Sequence, residues 1–294
     1  VVAVAYAGQP ADMPAIAEIA HARGAIVIED GCHGTGGGFV HENKFYKLGG
    51  HPWADITTFS FHPVKTMTTG EGGILVTDND DYAKRARLLR AHGITRDSSE
   101  FSVFGNQSPI TESGSWTYEM QSLGYNYRIT DIQCALGRSQ LKKLPDFVQR
   151  RQQIVNSYNE AFANISWLTT PKATDRQETQ DRLSAVAQRT KRGAPRTGHQ
   201  KPTVSYHLYT TQIDFEALGK SRVEVMAELR EQGVGTQVLY IPVYLQPWYQ
   251  RTYGYQQGKC PNAEAYYKKA LSLPLYPAMT KTDVAHVIKA VTSL

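Results

Sequence analysis

The first ninety positions of the chain combine helical spacing of apolar residues with short continuous apolar runs. Residues 12–23 carry apolar side chains at a helical spacing, and the run at 25–28 is typical of a strand buried on both faces. Residues 55–61 and 73–77 predict two further strands, and residues 82–92 predict a charged helix. Because strands and helices alternate, the pattern favours an α/β fold with a mainly parallel sheet and helices on its faces.

The second half of the chain begins with a long helical pattern. Apolar positions recur at helical spacing over residues 131–158, as one helix or as two that meet at a bend near Pro145. Strands and helices then alternate, with a strand at 206–215, a helix at 222–232, a strand at 235–242 and a last helix from Lys281. This alternation predicts a small C-terminal α/β domain.

These patterns divide the chain into four parts: part of a large domain at 1–130, connecting helices at 131–169, a polar surface insertion at 170–203 and a small C-terminal domain at 204–294. The insertion is rich in Arg, Gln and Thr and poor in large apolar side chains, which is typical of a solvated loop. The chain has no Met at its start and opens directly on an apolar, β-branched run. We therefore expect an amino-terminal part of the protein to be missing.

Charge and cysteine content narrow the class of protein. Residues 172–201 hold eight Lys or Arg against three Asp or Glu, which accounts for the whole net charge of +5. One basic stretch is typical of a solvated loop, so we expect no nucleic-acid partner. No apolar run reaches the roughly 18 residues of a membrane helix. Cys32, Cys134 and Cys260 lie far apart without metal-ligand spacing, so we expect a cytoplasmic protein with no metal site.

Two charged residues fall where a parallel sheet binds ligands. Asp30 ends the predicted strand that starts at residue 25, and the carboxyl ends of parallel strands form the ligand edge of such sheets. An Asp after a strand is also a common helix cap, and this alternative stays open for Asp30 taken alone. Lys65 lies in a polar, glycine-rich crossover, where a surface charge is not expected. The neighbouring TTGEGG lacks the spacing of a nucleotide-binding P-loop.

Three ordered sequence blocks resemble the DegT/DnrJ/EryC1/StrS family of sugar aminotransferases: IEDGCHGTGG, TTFSFHPVKTMTTGEGG and GYNYRITDIQCALG. HGITRD, LQPWY and CPNAEAYYKKALSLPLYP are similar to the branch that makes UDP-4-amino-4,6-dideoxy-N-acetyl-β-L-altrosamine, a pseudaminic acid precursor. The resemblance covers the chain except residues 170–203. It implies fold type I of the pyridoxal-phosphate-dependent transferases, like aspartate aminotransferase, and pyridoxal 5′-phosphate as the cofactor.

The resemblance also implies roles for five residues. Lys65 matches the lysine that binds the cofactor covalently and shuttles the proton. Asp30 matches the carboxylate that pairs with the pyridine nitrogen, and His33 the residue that packs on or hydrogen-bonds to the cofactor ring, where some relatives carry Gln. Ser60 matches a phosphate-binding hydroxyl. Asn126 matches the asparagine that reaches the phosphate of the neighbouring subunit's cofactor, which implies a homodimer with shared active sites.

The resemblance implies transfer of an amino group, with L-glutamate as the expected donor, to the 4-keto carbon of a UDP-linked 4-keto-6-deoxy-N-acetylhexosamine for a cell-surface polysaccharide. Relatives often carry His at the positions of Leu239 and Tyr244, so the identity of the keto-sugar stays open. Two alternatives remain. A deoxysugar dehydrase of this fold carries His at the position of Lys65, and a non-catalytic regulator or scaffold would have lost the activity.

Overall fold

The computed structural model describes residues 1–101, 116–171 and 204–294. Eight helices are seen in these ranges: α1 Met13–His21, α2 Asp80–Arg90, α3 Asp131–Phe162, α4 Phe215–Leu218, α5 Arg222–Glu231, α6 Pro247–Tyr253, α7 Pro261–Lys269 and α8 Lys281–Thr292. Eleven strands accompany them there: β1 Val2–Val4, β2 Ile28–Asp30, β3 Gly38–His41, β4 Lys44–Lys47, β5 Ile56–Ser60, β6 Gly73–Val76, β7 Ile94–Thr95, β8 Glu119–Met120, β9 Leu168–Thr169, β10 Tyr209–Ile213 and β11 Ala270–Leu273.

A four-stranded sheet in the order β1-β2-β5-β6 carries the segment with Lys65, and we call it the lysine sheet. Its first three strands are parallel and β6 is antiparallel to β5, so the prediction of a mainly parallel sheet is confirmed. Val4, Asp30 and Thr58 lie side by side in the register of the three parallel strands. The carboxyl ends of these strands therefore meet at one edge.

The strand predicted at residues 25–28 lies further along the chain, since β2 begins only at Ile28. Val27 donates its N–H to the Asp55 carboxylate at 2.7 Å instead of entering the sheet ladder. Ile26 is 42% exposed, so the prediction of a strand buried on both faces is wrong at this position. The strand ends at Asp30, as predicted.

The long helix α3 is continuous through Pro145. It begins with a capping box, in which Thr130 and Gln133 each bond the other's backbone. A proline inside a helix removes the bond to the carbonyl four residues earlier, and here that residue is the exposed Leu141, whose carbonyl can bond to water. One face of α3 buries seven residues at helical spacing: Leu144, Val148, Arg151, Ile154, Val155, Tyr158 and Phe162.

Strands β10 and β11 of the last ninety residues form a second sheet with β9, which follows α3, in the order β11-β10-β9, and we call it the C-terminal sheet. Both of its strand pairs are antiparallel, and the sheet packs against α3, α5 and α8 around one hydrophobic core. The strand predicted at 235–242 is wrong, because only Gln237 pairs there, in a single bridge to Ser272 of β11. No helix in the described ranges is long and apolar enough to cross a membrane.

The polar insertion predicted at 170–203 lies outside the described residues except for its first two positions.

Candidate active site

The chain turns sharply where β2 ends. Asp30 accepts the Cys32 N–H at 3.0 Å through Oδ1, and the Gly31 N–H donates to the Thr58 carbonyl at 2.9 Å. A Cβ at Gly31 would lie 2.7 Å from the ring of Phe59, so only glycine fits beside β5. These contacts hold the Asp30 carboxylate at the ligand edge of the lysine sheet.

His33 lies on the turn that follows Asp30 and is buried. Its Nδ1 accepts the Ala7 N–H at 3.3 Å, and its ring faces the ring of His207 with 4.6 Å between centroids. Burial lowers the pKa of His33 to about 4, and the positive charge of Lys65 lowers it further than the Asp30 carboxylate raises it. His33 is therefore neutral at physiological pH, and because Nδ1 accepts, its proton is on Nε2.

Lys65 lies in a compact loop between β5 and β6. The Phe61 N–H donates to the Gly72 carbonyl at 2.8 Å, and the Thr69 N–H donates to the Phe61 carbonyl at 3.0 Å, which closes the base of the loop. The Lys65 N–H donates to the His62 carbonyl at 2.9 Å. Lys65 is half-buried, and none of the ion pairs among the described residues involves it.

The positive charge of Lys65 acts on the pKa values of groups on both sides of the turn after β2. It contributes to lowering the pKa values of His33 and His207, after burial. It also opposes the rise of the Cys32 pKa to about 11, which burial and the Asp30 carboxylate cause. The amine, the carboxylate and the two imidazoles therefore form one electrostatic cluster. The raised pKa keeps the Cys32 thiol protonated, so Cys32 is not a nucleophile here.

A cleft of about 630 Å³ opens beside Lys65. It is lined by the lysine loop, by α3 residues that include Arg150 and Arg151, and by residues 275–278 after β11. The cleft thus lies where the lysine sheet, α3 and the C-terminal sheet approach each other. A small molecule that enters here can reach the lysine.

The other two predicted site residues have different positions. Ser60 is the last residue of β5, half-buried, and its Oγ accepts the His62 N–H at 3.4 Å. It lies at the same edge of the sheet as Asp30. Of the five predicted residues, only Lys65 lines the cleft. Lys65 and Asp30 both act on the pKa of His33, and Ser60 lies at the same sheet edge as Asp30. Asn126 is exposed and forms its bridge with Ala91 after α2.

Two residues of this region were missed by sequence reasoning. Arg151 bonds to the His207 carbonyl, and the His207 ring contacts the His33 ring, although the chain separates the three residues widely. Neither lies in a motif with a chemical spacing, and a lone histidine on an apolar face is usually a core residue. The two residues are identified only by their buried contacts in the folded structure, which spacing along the chain does not predict.

A broad apolar surface surrounds Asn126. Leu123 and Ile132 are each 84% exposed. Large apolar side chains on the same stretch are exposed as well: Trp116, Tyr118, Met120, Tyr125, Tyr127, Ile129, Leu136 and Leu141. Single exposed apolar residues are ordinary, but a run of this kind is typical of an interface.

Comparison with known proteins gives consistent matches. The model of the DegT/DnrJ/EryC1/StrS aminotransferase family matches residues 1–292. MJ1066 of Methanocaldococcus jannaschii, an uncharacterized protein, is 37% identical over all of this chain and 66% of its own length. The spore coat polysaccharide biosynthesis protein SpsC of Bacillus subtilis is 36% identical over the same shares. The chain thus spans just under two thirds of the curated relatives that it matches.

The solved structures agree. PseC of Helicobacter pylori, an aminotransferase involved in the biosynthesis of pseudoaminic acid, has a TM-score of 0.76 and 25% identity, over 99% of this chain and 65% of that chain. The expected fold type I of the pyridoxal-phosphate-dependent transferases is therefore confirmed.

Proposed function

Because this chain belongs to the DegT/DnrJ/EryC1/StrS aminotransferase family, we propose that it is the larger part of a pyridoxal-phosphate-dependent sugar aminotransferase in which Lys65 binds the cofactor. The observation that carries the proposal is the convergence of three groups at one sheet edge. The Asp30 carboxylate, the His33 ring and the Lys65 amine follow two neighbouring strands, and the charges of Lys65 and Asp30 both act on the pKa of His33.

The residues at this edge fit pyridoxal phosphate. A primary amine in a half-buried loop can bind an aldehyde carbon, and a carboxylate can pair with a protonated pyridine nitrogen. A neutral, buried imidazole offers a flat face for a planar ring. Ser60 adds a hydroxyl donor at the end of β5, where a phosphate oxygen can be held.

When bound, the cofactor supplies an electron sink for the carbon that loses its proton. Asp30 would hold a proton on the ring nitrogen, which would strengthen that sink. His33 would hold the ring. Lys65 would hold the cofactor through Nζ and, as a free amine, would accept and return the proton of the substrate carbon.

We propose a UDP-linked 4-keto-6-deoxy-N-acetylhexosamine as the amino acceptor and L-glutamate as the donor. PseC, described as an enzyme of pseudoaminic acid biosynthesis, and SpsC, described as a protein of spore coat polysaccharide biosynthesis, support a product used in surface glycans. Leu239 and Tyr244 distinguish this chain from relatives with histidines there. The Tyr244 hydroxyl bonds to the carboxylate of Glu264, so this side chain is already occupied by a protein partner.

A homodimer completes the proposed site. Asn126 is exposed within the apolar stretch 116–141 and pairs with Ala91 after α2. Packing this stretch against a second copy would cover the apolar side chains and could present Asn126 to the neighbour's cofactor phosphate. The dimer therefore accounts for both the exposed surface and the displaced asparagine.

The cofactor assignment is tested by borohydride reduction of the full-length protein loaded with pyridoxal phosphate. We expect one pyridoxyl group, recovered by peptide mapping on Lys65. The exposed Lys44 serves as the control site and should stay unmodified. A label on another lysine, or no label after reduction, would contradict the assignment and favour the scaffold alternative.

The shared site is tested with mixed dimers. Lys65→Ala and Asn126→Ala subunits with different tags are co-expressed and purified over both tags, provided that each homodimer is severely impaired. Shared sites give the mixed dimer one site with intact Lys65 from one subunit and intact Asn126 from the other, so activity returns. If each site drew both residues from one subunit, mixing would restore nothing.

A further inference from the structure

We propose that His207 is a positioning residue for His33: its ring, brought in from the C-terminal half of the chain and fixed by Arg151, holds the His33 ring in the plane that the cofactor requires. The inference rests on the proposed function, because His33 needs a defined plane only if it packs on the cofactor ring. His207 itself is placed behind His33 and is not assigned a contact with substrate.

Two contacts define the position of the His33 ring. The Ala7 N–H meets Nδ1 at 3.3 Å in one direction, and the His207 ring lies against it with 4.6 Å between centroids and a tilt of 48°. Both imidazoles are more than nine-tenths buried. Rings at this separation restrict each other's rotation about the side-chain bonds. Removing His207 would leave His33 with the Ala7 hydrogen bond and the more distant ring of Tyr6, whose centroid is 6.1 Å away.

The His207 backbone is fixed in turn by a buried arginine on α3. Nη1 of Arg151 donates to the carbonyls of His207 at 3.2 Å, Tyr206 at 3.4 Å and Leu275 at 2.7 Å. Arg151 is 4% exposed, and among the described residues no carboxylate forms an ion pair with it. Burial lowers its pKa to about 10, so the guanidinium still carries its charge at neutral pH. Among the described residues, the Arg151 guanidinium therefore binds only carbonyl oxygens, and these bonds fix the backbone of residues 206, 207 and 275.

The segment with His207 also packs directly on the turn that holds His33. The His207 N–H donates to the Ala7 carbonyl at 3.0 Å, while the Ala7 N–H donates to His33. A Cβ at Gly8 would lie 1.9 Å from the Ser205 carbonyl oxygen, so the two backbones approach as closely as glycine allows. A displacement of the His207 segment is thereby passed on to Ala7 and to His33.

The contribution of His207 is the face of its ring rather than a hydrogen bond. Its Nδ1 is buried and has no hydrogen-bond partner within the described part of the chain. The charged and titratable groups around the pair are Lys65 and Arg151 near His207, and Lys65, Asp30 and Tyr6 near His33. A phenylalanine at 207 would keep the face and volume of the ring, whereas an alanine would remove both. A role of His207 in packing therefore predicts that the phenylalanine variant behaves like the wild type and the alanine variant does not.

The test follows the titration of His33 by NMR in the full-length protein without cofactor, so the readout does not depend on activity. The wild-type pKa of about 4 should persist in His207→Phe. In His207→Ala, His33 should gain solvent and its pKa should rise by about one unit or more towards the ordinary value near 6.5. Leu229→Ala is the control, since it destabilises the fully buried core of the C-terminal sheet away from His33.

The loaded enzyme gives the second readout. We expect kcat of His207→Ala to fall about tenfold with a small change in KM, because a misplaced ring affects the reacting geometry more than sugar binding. His207→Phe should retain most of the activity. An unchanged His33 titration in His207→Ala, an equal shift in Leu229→Ala, or failure of His207→Phe to retain the wild-type values would each overturn the inference. Failure of borohydride to label Lys65 would instead overturn the cofactor assignment and leave the titration result standing.

Discussion

The two sheets of the protein bury their side chains very differently. Every residue of β11 is buried, and so are four of the five residues of β10. Their larger apolar side chains belong to a core of twenty buried apolar residues within the described part of the chain. In the lysine sheet, three of the four residues of β6 are exposed, and Val2 and Val4 of β1 are exposed as well. Apolar side chains of the lysine sheet, which carries the proposed reacting groups, are thus exposed to solvent. Those of the C-terminal sheet are buried against its own helices.

This difference indicates a division of roles. The C-terminal sheet and α3 form a self-contained core that can fix His207 and residues 275–278 beside the cleft. The lysine sheet presents the reacting groups and depends on further contacts to cover its surface. In the proposed dimer, some of those contacts come from a second copy. Chemistry and stability should therefore respond to different substitutions.

The largest effect is expected at the lysine sheet, with Lys65→Ala. Loss of the amine removes both covalent binding of the cofactor and the proton carrier, so turnover should fall by about 10³-fold or more. Thermal stability should change little, because Lys65 is half-buried and makes no ion pair among the described residues. Steady-state kinetics and a melting curve measure the two effects. Lys44→Ala is the matched control, and turnover within tenfold of wild type for Lys65→Ala would contradict the prediction.

Asp30→Asn should have the next effect. The amide keeps the shape of the side chain and can still accept the Cys32 N–H, but it cannot hold a proton on the ring nitrogen. We expect kcat to fall about 10²-fold. Glu29→Gln provides the contrast one position earlier, since that carboxylate accepts from Gly49 and Thr57 on the other side of the strand. Glu29→Gln should lower stability and spare kcat in the fraction that remains folded.

Glu29 and Asp30 also show what the sequence could and could not predict. Adjacent residues of a strand face opposite sides, and here one carboxylate is sealed in the core with His51 while the other reaches the ligand edge. The pattern alone did not distinguish them, and Asp30 remained open as a helix cap. The family resemblance assigned the cofactor role to Asp30 rather than to Glu29, because a sequence motif is matched position by position and not by polarity.

Element prediction succeeded where periodicity and caps agreed, as in α5, where Ser221 and Glu224 form the capping box. It failed where turns lacked a clear signal. The β3-β4 hairpin turns at Glu42 and Asn43, both with positive φ, and Glu is not a residue that favours this conformation. Strand β11 follows α7 without an intervening residue, so no turn signal separated it from the helix. The contact of His207 with His33 depends on tertiary packing, so the spacing of residues along the sequence could not predict it.

A core substitution tests whether the C-terminal sheet supplies the greater stability. Leu229 is fully buried and Leu75 of β6 is 41% exposed. Leu229→Ala should lower the free energy of unfolding by about 2–5 kcal/mol, and Leu75→Ala should cost clearly less. Denaturant titration at low protein concentration measures both. Equal costs for the two variants would show that the lysine sheet is as well covered as the C-terminal sheet, and the contrast between them would then be wrong.

The histidine pair at the junction of the two sheets predicts a smaller, pH-dependent effect. Burial lowers the pKa of His33 to about 4 and that of His207 to about 3, below the value near 6.5 of an unfolded chain. Between about pH 6.5 and 4, His33 and His207 are therefore protonated in the unfolded state but neutral in the folded state. The free energy of unfolding falls as the pH falls through this range. His207→Phe should remove about one proton from this slope, or about 1.4 kcal/mol per pH unit. Denaturation at pH 5 and 7 decides it, and an unchanged slope in His207→Phe would contradict the prediction.

The smallest effect is expected for residues 170–203, the predicted surface insertion. This stretch is polar and basic, with eight Lys or Arg and few large apolar residues, so its side chains gain little from burial in a core or a site. Replacing it with a short Gly/Ser linker should leave kcat and KM within about twofold, because surface insertions are usually tolerated. A second variant, in which the same residues are scrambled at constant length, separates the effect of length from that of sequence. A tenfold loss of turnover in the linker variant but not in the scrambled one would assign the stretch a spacing role between the two sheets. A tenfold loss in both would show that its sequence contributes to the site, against the comparison drawn here.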